Sequence, residues 1–177
     1  MGSPVRTKRL TSLPTKYYEL IGEVIFHWSL SDAQVTNLIG MLLGMGPKEE
    51  RLLVGRLDEK QKLMMLRFLS EKSMRPKNPI RKLIANFIGQ QQMMADRRNQ
   101  FCHSPWVEVP GQTIPAILNM NSVTKRYSPN AEIMTDSQME NTLKMFRDLT
   151  IMGEQALKAM KALLVRQAKE SPAQPPQ

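Results

Sequence analysis

The sequence predicts an all-α protein: an up-and-down bundle of four to five helices, with a short irregular or hairpin insertion before the last helix. Three observations predict it. Apolar residues recur at three- and four-residue steps over long stretches. Helix start and stop signals bracket those stretches. One segment, residues 106–134, abandons the period and is punctuated by proline and glycine. A chain of 177 residues with 41% hydrophobic side chains is long enough to bury a core as one compact domain.

Residues 1–12 read as a flexible basic N-terminus, 13–168 as the helical domain, and 169–177 as a disordered Pro/Gln-rich tail. Leu13-Pro14 opens the first long helix, in which Tyr17, Leu20, Ile21, Val24, Ile25, Trp28, Val35, Leu38, Ile39 and Leu42 keep the helical step. Gly44-Met45-Gly46 ends it. Pro47, followed by Glu49 and Glu50, suits a new N-terminus and a short helix to about Val54. Asp58 is placed to cap a third helix carrying Leu63, Met64, Leu66 and Leu69 toward Lys72. Asn78-Pro79 puts a capping residue before a proline at the first helical position. The stripe Ile80, Ile84, Phe87, Gln91, Met94, Arg98, Phe101 follows at steps of four and three, until Ser104-Pro105 stops it. Within the insertion, Ile114–Met120 and Val123–Tyr127 are short segments suited to a loop or small hairpin. Thr135 with Gln138 forms a capping-box pattern. It opens a final helix with Met139, Leu143, Phe146, Leu149, Gly153, Ala156, Leu157, Met160 and Leu164 on its apolar face.

Composition removes several function classes. One cysteine, Cys102, excludes an internal disulfide framework and any multi-cysteine zinc site, and His27 and His103 are the only histidines. No metal and no cofactor are expected. No apolar run reaches the roughly 18 residues a spanning helix needs. The basic start lacks an apolar signal core, so the expected setting is cytoplasmic, away from membranes. Lys+Arg 25 against Asp+Glu 16 gives a net charge of +9, which suits phosphate-rich partners. The cations cluster at Lys72, Arg75, Lys77, Arg81 and Lys82, again at Arg97 and Arg98, and at Lys125 with Arg126. No aromatic interleaving of these runs, as single-strand stacking platforms use, is evident.

The chemistry concentrates in Arg97-Arg98-Asn99-Gln100-Phe101-Cys102-His103-Ser104-Pro105-Trp106. Arg98 falls on the apolar stripe, where a charge must find a partner or a pocket. Asn99 and His103 are four apart and share a helix face. Arg98 and His103 are about 140° apart on an ideal helix, so they converge through the reach of arginine or a distorted last turn. The carbonyl end of a helix stabilises an imidazolium. A proton-transferring imidazole beside a fixed guanidinium suits phosphoryl chemistry: one moves protons, the other steadies phosphate charge.

Arg98-Asn99-x-x-x-His103 followed by Ser-Pro-Trp resembles the R-x(4–6)-H signature of the HEPN superfamily, in its R-N-x-x-x-H form. The motif ends the third long helix, as in that family, and the segment Arg56-Leu57-Asp58 through Leu69 sits where its second helix lies. The likeness in order and length covers roughly residues 15 to 168. The resemblance implies a metal-independent endoribonuclease, a toxin or a phage-defence effector, working as a homodimer with two motifs facing one cleft. It also implies RNA as substrate, and an antitoxin or sensor protein as a possible partner. By that analogy Arg98 binds the scissile phosphate. His103 acts as general acid or base while the ribose 2′-OH attacks, leaving a 2′,3′-cyclic phosphate and a 5′-OH. Asn99 orients His103 or contacts the phosphate. Lys72, Arg75, Lys77, Arg81, Lys82 and Arg97 would hold flanking RNA, and Glu23 or Asp32, with Gln34 a third candidate, would add a supporting polar group from the first helix. The alternative is a non-catalytic HEPN-like dimeric module that binds nucleotide, nucleic acid or a partner protein.

Other residues have plainer readings. Cys102 next to His103 does not make a nucleophilic pair, because adjacent helical residues point about 100° apart. A buried structural thiol fits better. His27 with Glu23 at i−4 reads as a packed or helix-stabilising histidine ahead of a second proton-transfer pair. Trp28 and Trp106 read as core or interface aromatics, and the 14 methionines as core and dimer filling.

Overall fold

The computed structural model describes residues 8–120 and 127–170. They form five helices: α1 (Thr15–Leu43), α2 (Pro47–Leu53), α3 (Glu59–Ser73), α4 (Pro79–His103) and α5 (Asp136–Glu170). Four short strands accompany them: β1 (Lys8–Arg9), β2 (Trp106–Glu108), β3 (Ala116–Met120) and β4 (Tyr127–Ile133). The protein is thus an all-α helical bundle with a small antiparallel sheet.

The helix boundaries fall at the signals in the sequence. The Asp58 carboxylate accepts from the Gln61 backbone N–H at 2.8 Å, and the Gln61 side chain accepts from the Asp58 N–H at 3.0 Å, a complete capping box for α3. Asn78 Oδ1 accepts from Ile80 N–H at 2.8 Å and starts α4. Thr135 and Gln138 exchange the corresponding bonds ahead of α5. At the end of α1, Gly44 has φ +65°, and the N–H groups of Gly44 and Met45 return to the carbonyls of Met41 and Gly40. Glycine adopts that left-handed corner without a Cβ clash, so it closes the helix.

The chain divides into two compact units. Unit 1 comprises the residues up to Trp28 together with Gln92–Arg147, and unit 2 comprises Ser29–Gln91 with the residues from Asp148 onward. Unit 1 contains the sheet, in the order β1-β2-β3-β4, antiparallel throughout. Register places Trp106 opposite Ile117, Ala116 opposite Ile133, and Lys8 opposite Glu108. The expected hairpin is present as β3–β4, with an irregularity between Leu118 and Met120. Within the basic N-terminal segment, Lys8–Arg9 form an edge strand on β2, and the Leu10 N–H donates to the Trp106 carbonyl at 2.9 Å. Two exposed cationic residues suit an edge, where they discourage further strand addition. Residues 1–7, the Val123–Tyr127 segment up to Arg126 (including Lys125 and Arg126) and the tail from 171 lie outside the described residues.

An aromatic cluster organises unit 1. Tyr17 meets Trp106 edge-on with ring centroids 5.3 Å apart, Phe101 lies 6.2 Å from Trp106, and Trp28 lies 6.4 Å from Phe146. The Tyr17 hydroxyl donates to the Met134 carbonyl at 3.2 Å, tying the start of α1 to the end of the sheet. In unit 2 the fully buried side chains include Leu38, Ile39, Leu66, Ile84, Phe87 and Ile88. Three expected core positions differ, Leu164 on α5 among them, which is exposed. Ile25 and Met64 are exposed, and beside Leu63 and Leu66 the buried place on α3 is taken by Lys62, whose Nζ lies 2.7 Å from the Asp32 carboxylate.

Gly153 is a packing requirement of unit 2. A Cβ there would meet the Gln34 amide and come within 2.9 Å of Phe87 Cζ, both buried groups with little room to yield. Gly153→Ala therefore destabilises by about 1–3 kcal/mol through overpacking, although alanine is the better helix former. Urea denaturation of the two proteins checks this, and an equal midpoint would contradict it.

Candidate active site

The site grows from the last two turns of α4. Pro105 prevents the helix from continuing, so His103 is its final residue, exposed at the C-terminal end. Asn99, one turn earlier, is also exposed. Arg98 follows the stripe Ile84, Phe87, Gln91, Met94 and is half-buried. Its guanidinium carbon stands 5.0 Å from the centre of the Trp28 ring. A cation this close to an indole ring is held by the ring quadrupole. This is the partner that a charge on an apolar stripe requires.

Arg97, the neighbouring arginine, is used differently. Its guanidinium forms a two-pronged pair with Glu132 at 2.7 and 2.8 Å and also reaches Gln100. Gln100 donates to the same carboxylate at 3.0 Å, and Arg97 lies 4.9 Å over the Phe101 ring. These bonds, led by the one to Arg97, hold the Glu132 carboxyl below the usual glutamate pKa. Arg97 therefore joins α4 to β4, in place of the RNA-holding role expected of it.

The pairing has a pH signature. A carboxyl whose pKa is depressed on folding contributes stability that is complete above its unfolded value, near 4.5. That contribution is lost as pH falls through the lower folded value. Glu132→Gln is expected to cost about 1–3 kcal/mol at pH 7, the range for hydrogen bonds to charged groups. The gap from wild type narrows below about pH 4.5, as the wild-type carboxyl takes up its proton. Denaturation series from pH 3 to 7 check it; a pH-independent gap would refute the linkage.

The supporting carboxylates expected from α1 are likewise committed. Glu23 pairs with Arg147 at 2.6 Å, both in unit 1, and Asp32 pairs with Lys62 in unit 2. Gln34 is buried in unit 2, where its amide donates to the Thr150 carbonyl at 3.0 Å. His27 is half-buried; burial, and then Arg147, pull its pKa below the ordinary histidine value, against the opposing effect of Glu23. Cys102 is half-buried, and burial pushes its thiol up, with Arg98 opposing.

No family model, curated protein or solved structure matches this chain. The site therefore rests on its own geometry. Among the described residues, no three of His, Cys, Asp and Glu gather into a group able to hold a metal ion, and no helix is long and apolar enough to cross a membrane.

The basic run 72–82 belongs to unit 2. Arg81 donates to the Met74 carbonyl at 3.4 Å and lies 3.9 Å from Glu71. Lys72, Arg75, Lys77 and Lys82 are exposed. Sequence reasoning missed two residues of the site. Trp28 read as a core aromatic, and its own spacing carries no mark of the arginine stacked on it. Glu132 lies 35 residues from Arg97 in an irregular stretch, and only the β3–β4 pairing returns it to α4.

Proposed function

We propose that the protein is a metal-independent endoribonuclease of HEPN type, centred on Arg98 and His103. The observation that carries the reading is the division of labour at the end of α4. Arg97 is neutralised by Glu132, Arg98 is braced on Trp28, and His103 is exposed at the helix terminus five residues on. A braced guanidinium suits a phosphate whose charge grows in the transition state, because it is oriented before the reaction begins. An exposed imidazole can take the 2′-OH proton or give one to the departing 5′-oxygen. In the reaction the 2′-oxygen forms a bond to phosphorus, the bond to the 5′-oxygen breaks, and the proton from the former passes through His103 and solvent to the latter. Asn99, on the same face as His103, is placed to orient the imidazole or the phosphate. The need for a 2′-OH restricts the substrate to RNA.

The test is cleavage of mixed RNA in EDTA by the wild type and by His103→Ala, with end-group analysis. Loss of activity in the variant and cyclic-phosphate ends from the wild type support the proposal; equal cleavage by both proteins defeats it. A homodimer belongs to the same reading. The exposed apolar side chains Tyr18, Phe26 and Leu30 along α1 offer a face for it. Light scattering at micromolar concentration is expected to give about twice the chain mass, and Phe26→Glu about the chain mass. A wild-type monomer would remove this part.

A further inference from the structure

A second feature, in unit 2, lies apart from the chemistry of His103 in sequence. Phe68 on α3 is 62% exposed, and the Lys72 ammonium lies 6.0 Å from its ring centre. Exposure of one phenylalanine is ordinary by itself; what sets Phe68 apart is the cation at its ring and the cations that follow. Lys72 follows it by one turn, and Arg75 and Lys77 come next along the chain. No aromatic lies within the basic run itself, but Phe68 stands one turn ahead of it, with Lys72 over its ring.

Past Lys72 the surface deepens. A cavity of about 430 Å³ opens between the α3–α4 connection and α5, lined by Arg75, Lys77 and Asn78 with Met74 and Leu163. Arg75 and Lys77 are exposed and form no ion pair with a described residue, and the nearest acid in sequence, Glu71, faces Arg81. The volume suits one nucleotide. Cations beside an apolar wall match a phosphate joined to a base.

We propose that this α3 face and the adjoining cavity form a binding track for single-stranded RNA: one base stacks on Phe68, and the phosphates that follow lie against Lys72, Arg75 and Lys77. Stacking on an aromatic tolerates any base, and the cations fix the backbone, so the track binds without sequence preference. It takes its choice of polymer from the ribonuclease reading but does not depend on cleavage.

The experiment uses the full chain carrying His103→Ala and a fluorescein-labelled 15-nucleotide oligouridylate, read by anisotropy. Phe68→Ala is expected to weaken binding about tenfold. R75E/K77E is expected to weaken it at least as much and to lower the salt slope by about one. Lys144→Glu, an exposed cation in unit 1, changes affinity less than about twofold. Phe68→Trp retains affinity, and its added tryptophan emission is quenched as the oligonucleotide binds. The four side chains substituted, Phe68, Arg75, Lys77 and Lys144, are exposed, so circular dichroism should match throughout. No binding, or equal binding by all variants, overturns the track. So does a Phe68-dependent attachment to phosphatidylserine vesicles with RNA binding unchanged, which would make the face a membrane contact. If the track binds while His103→Ala has no effect on cleavage, the proposed chemistry fails and this inference stands; the reverse outcome separates them the other way.

Discussion

On the proposed ribonuclease reading, His103→Ala is expected to leave RNA intact under conditions where the wild type cuts it. The expected loss is about a hundredfold to ten-thousandfold, the usual contribution of a positioned acid–base group. Because His103 is exposed at the last position of α4, the variant should keep wild-type stability to within about 0.5 kcal/mol. Arg98→Ala makes the informative contrast. It removes the charge proposed to bind phosphate and the contact with Trp28, so activity is expected to fall while stability drops by about 0.5–2 kcal/mol. Arg98→Lys keeps the charge but loses the planar group, and is expected to recover little activity. Arg97→Ala reverses the pattern, weakening the fold through Glu132 with a smaller effect on turnover per folded molecule. Rate measurements paired with urea midpoints for the four variants check the set. Activity lost only in proportion to stability would show that these residues hold the fold and nothing else.

Asp32→Ala is the largest stability change expected. Lys62 is almost wholly buried on α3, with 7% of its side chain exposed, whereas its partner Asp32 retains 36%. Removing the carboxylate leaves an ammonium in the interior, which costs about 3–5 kcal/mol for a fully buried pair. Partial exposure of Asp32 and the flexible lysine stem lower that to about 2–4 kcal/mol. The two partners are not equivalent. Lys62→Met leaves only a carboxylate already near water and fills the same space with apolar atoms, so it costs little. In the double variant D32A/K62M much of the stability lost in Asp32→Ala returns. Urea denaturation of the four proteins decides the matter; equal costs for the two single variants would refute the asymmetry.

That pair shows where the sequence could and could not be read. Helix boundaries were legible because capping is local: Asp58 with Gln61, Asn78 before Pro79, and Thr135 with Gln138 act over two or three residues. The α4 stripe was legible for a similar reason, since Ile84, Phe87, Gln91, Met94 and Phe101 keep one period and are all buried. Lys62 broke the rule on α3, because what sets its place is a carboxylate 30 positions away on another helix. Arg97 and Arg98 are adjacent and alike in sequence, yet Glu132 and Trp28 give them different work. No local pattern separates them; the deciding partners arrive only with the tertiary fold. The strand at Lys8–Arg9 was missed for the same reason, as two basic residues carry no strand signal until β2 presents an edge to them.

The division of the chain bears on its biosynthesis. Unit 1 needs the segment up to Trp28 and the stretch from Gln92 to Arg147, while unit 2 needs Ser29–Gln91 and the residues from Asp148. Each is assembled from two separated segments, and α1, α4 and α5 each contribute to both. Neither unit is therefore complete in the growing polypeptide until α5 has begun to leave the ribosome, and unit 2 waits for nearly the last residue of the helix. Contacts so distant in sequence close slowly for a helical protein. A nascent chain stalled before residue 136 should thus remain open to protease along α1 and α4, then gain protection late and steeply as α5 emerges.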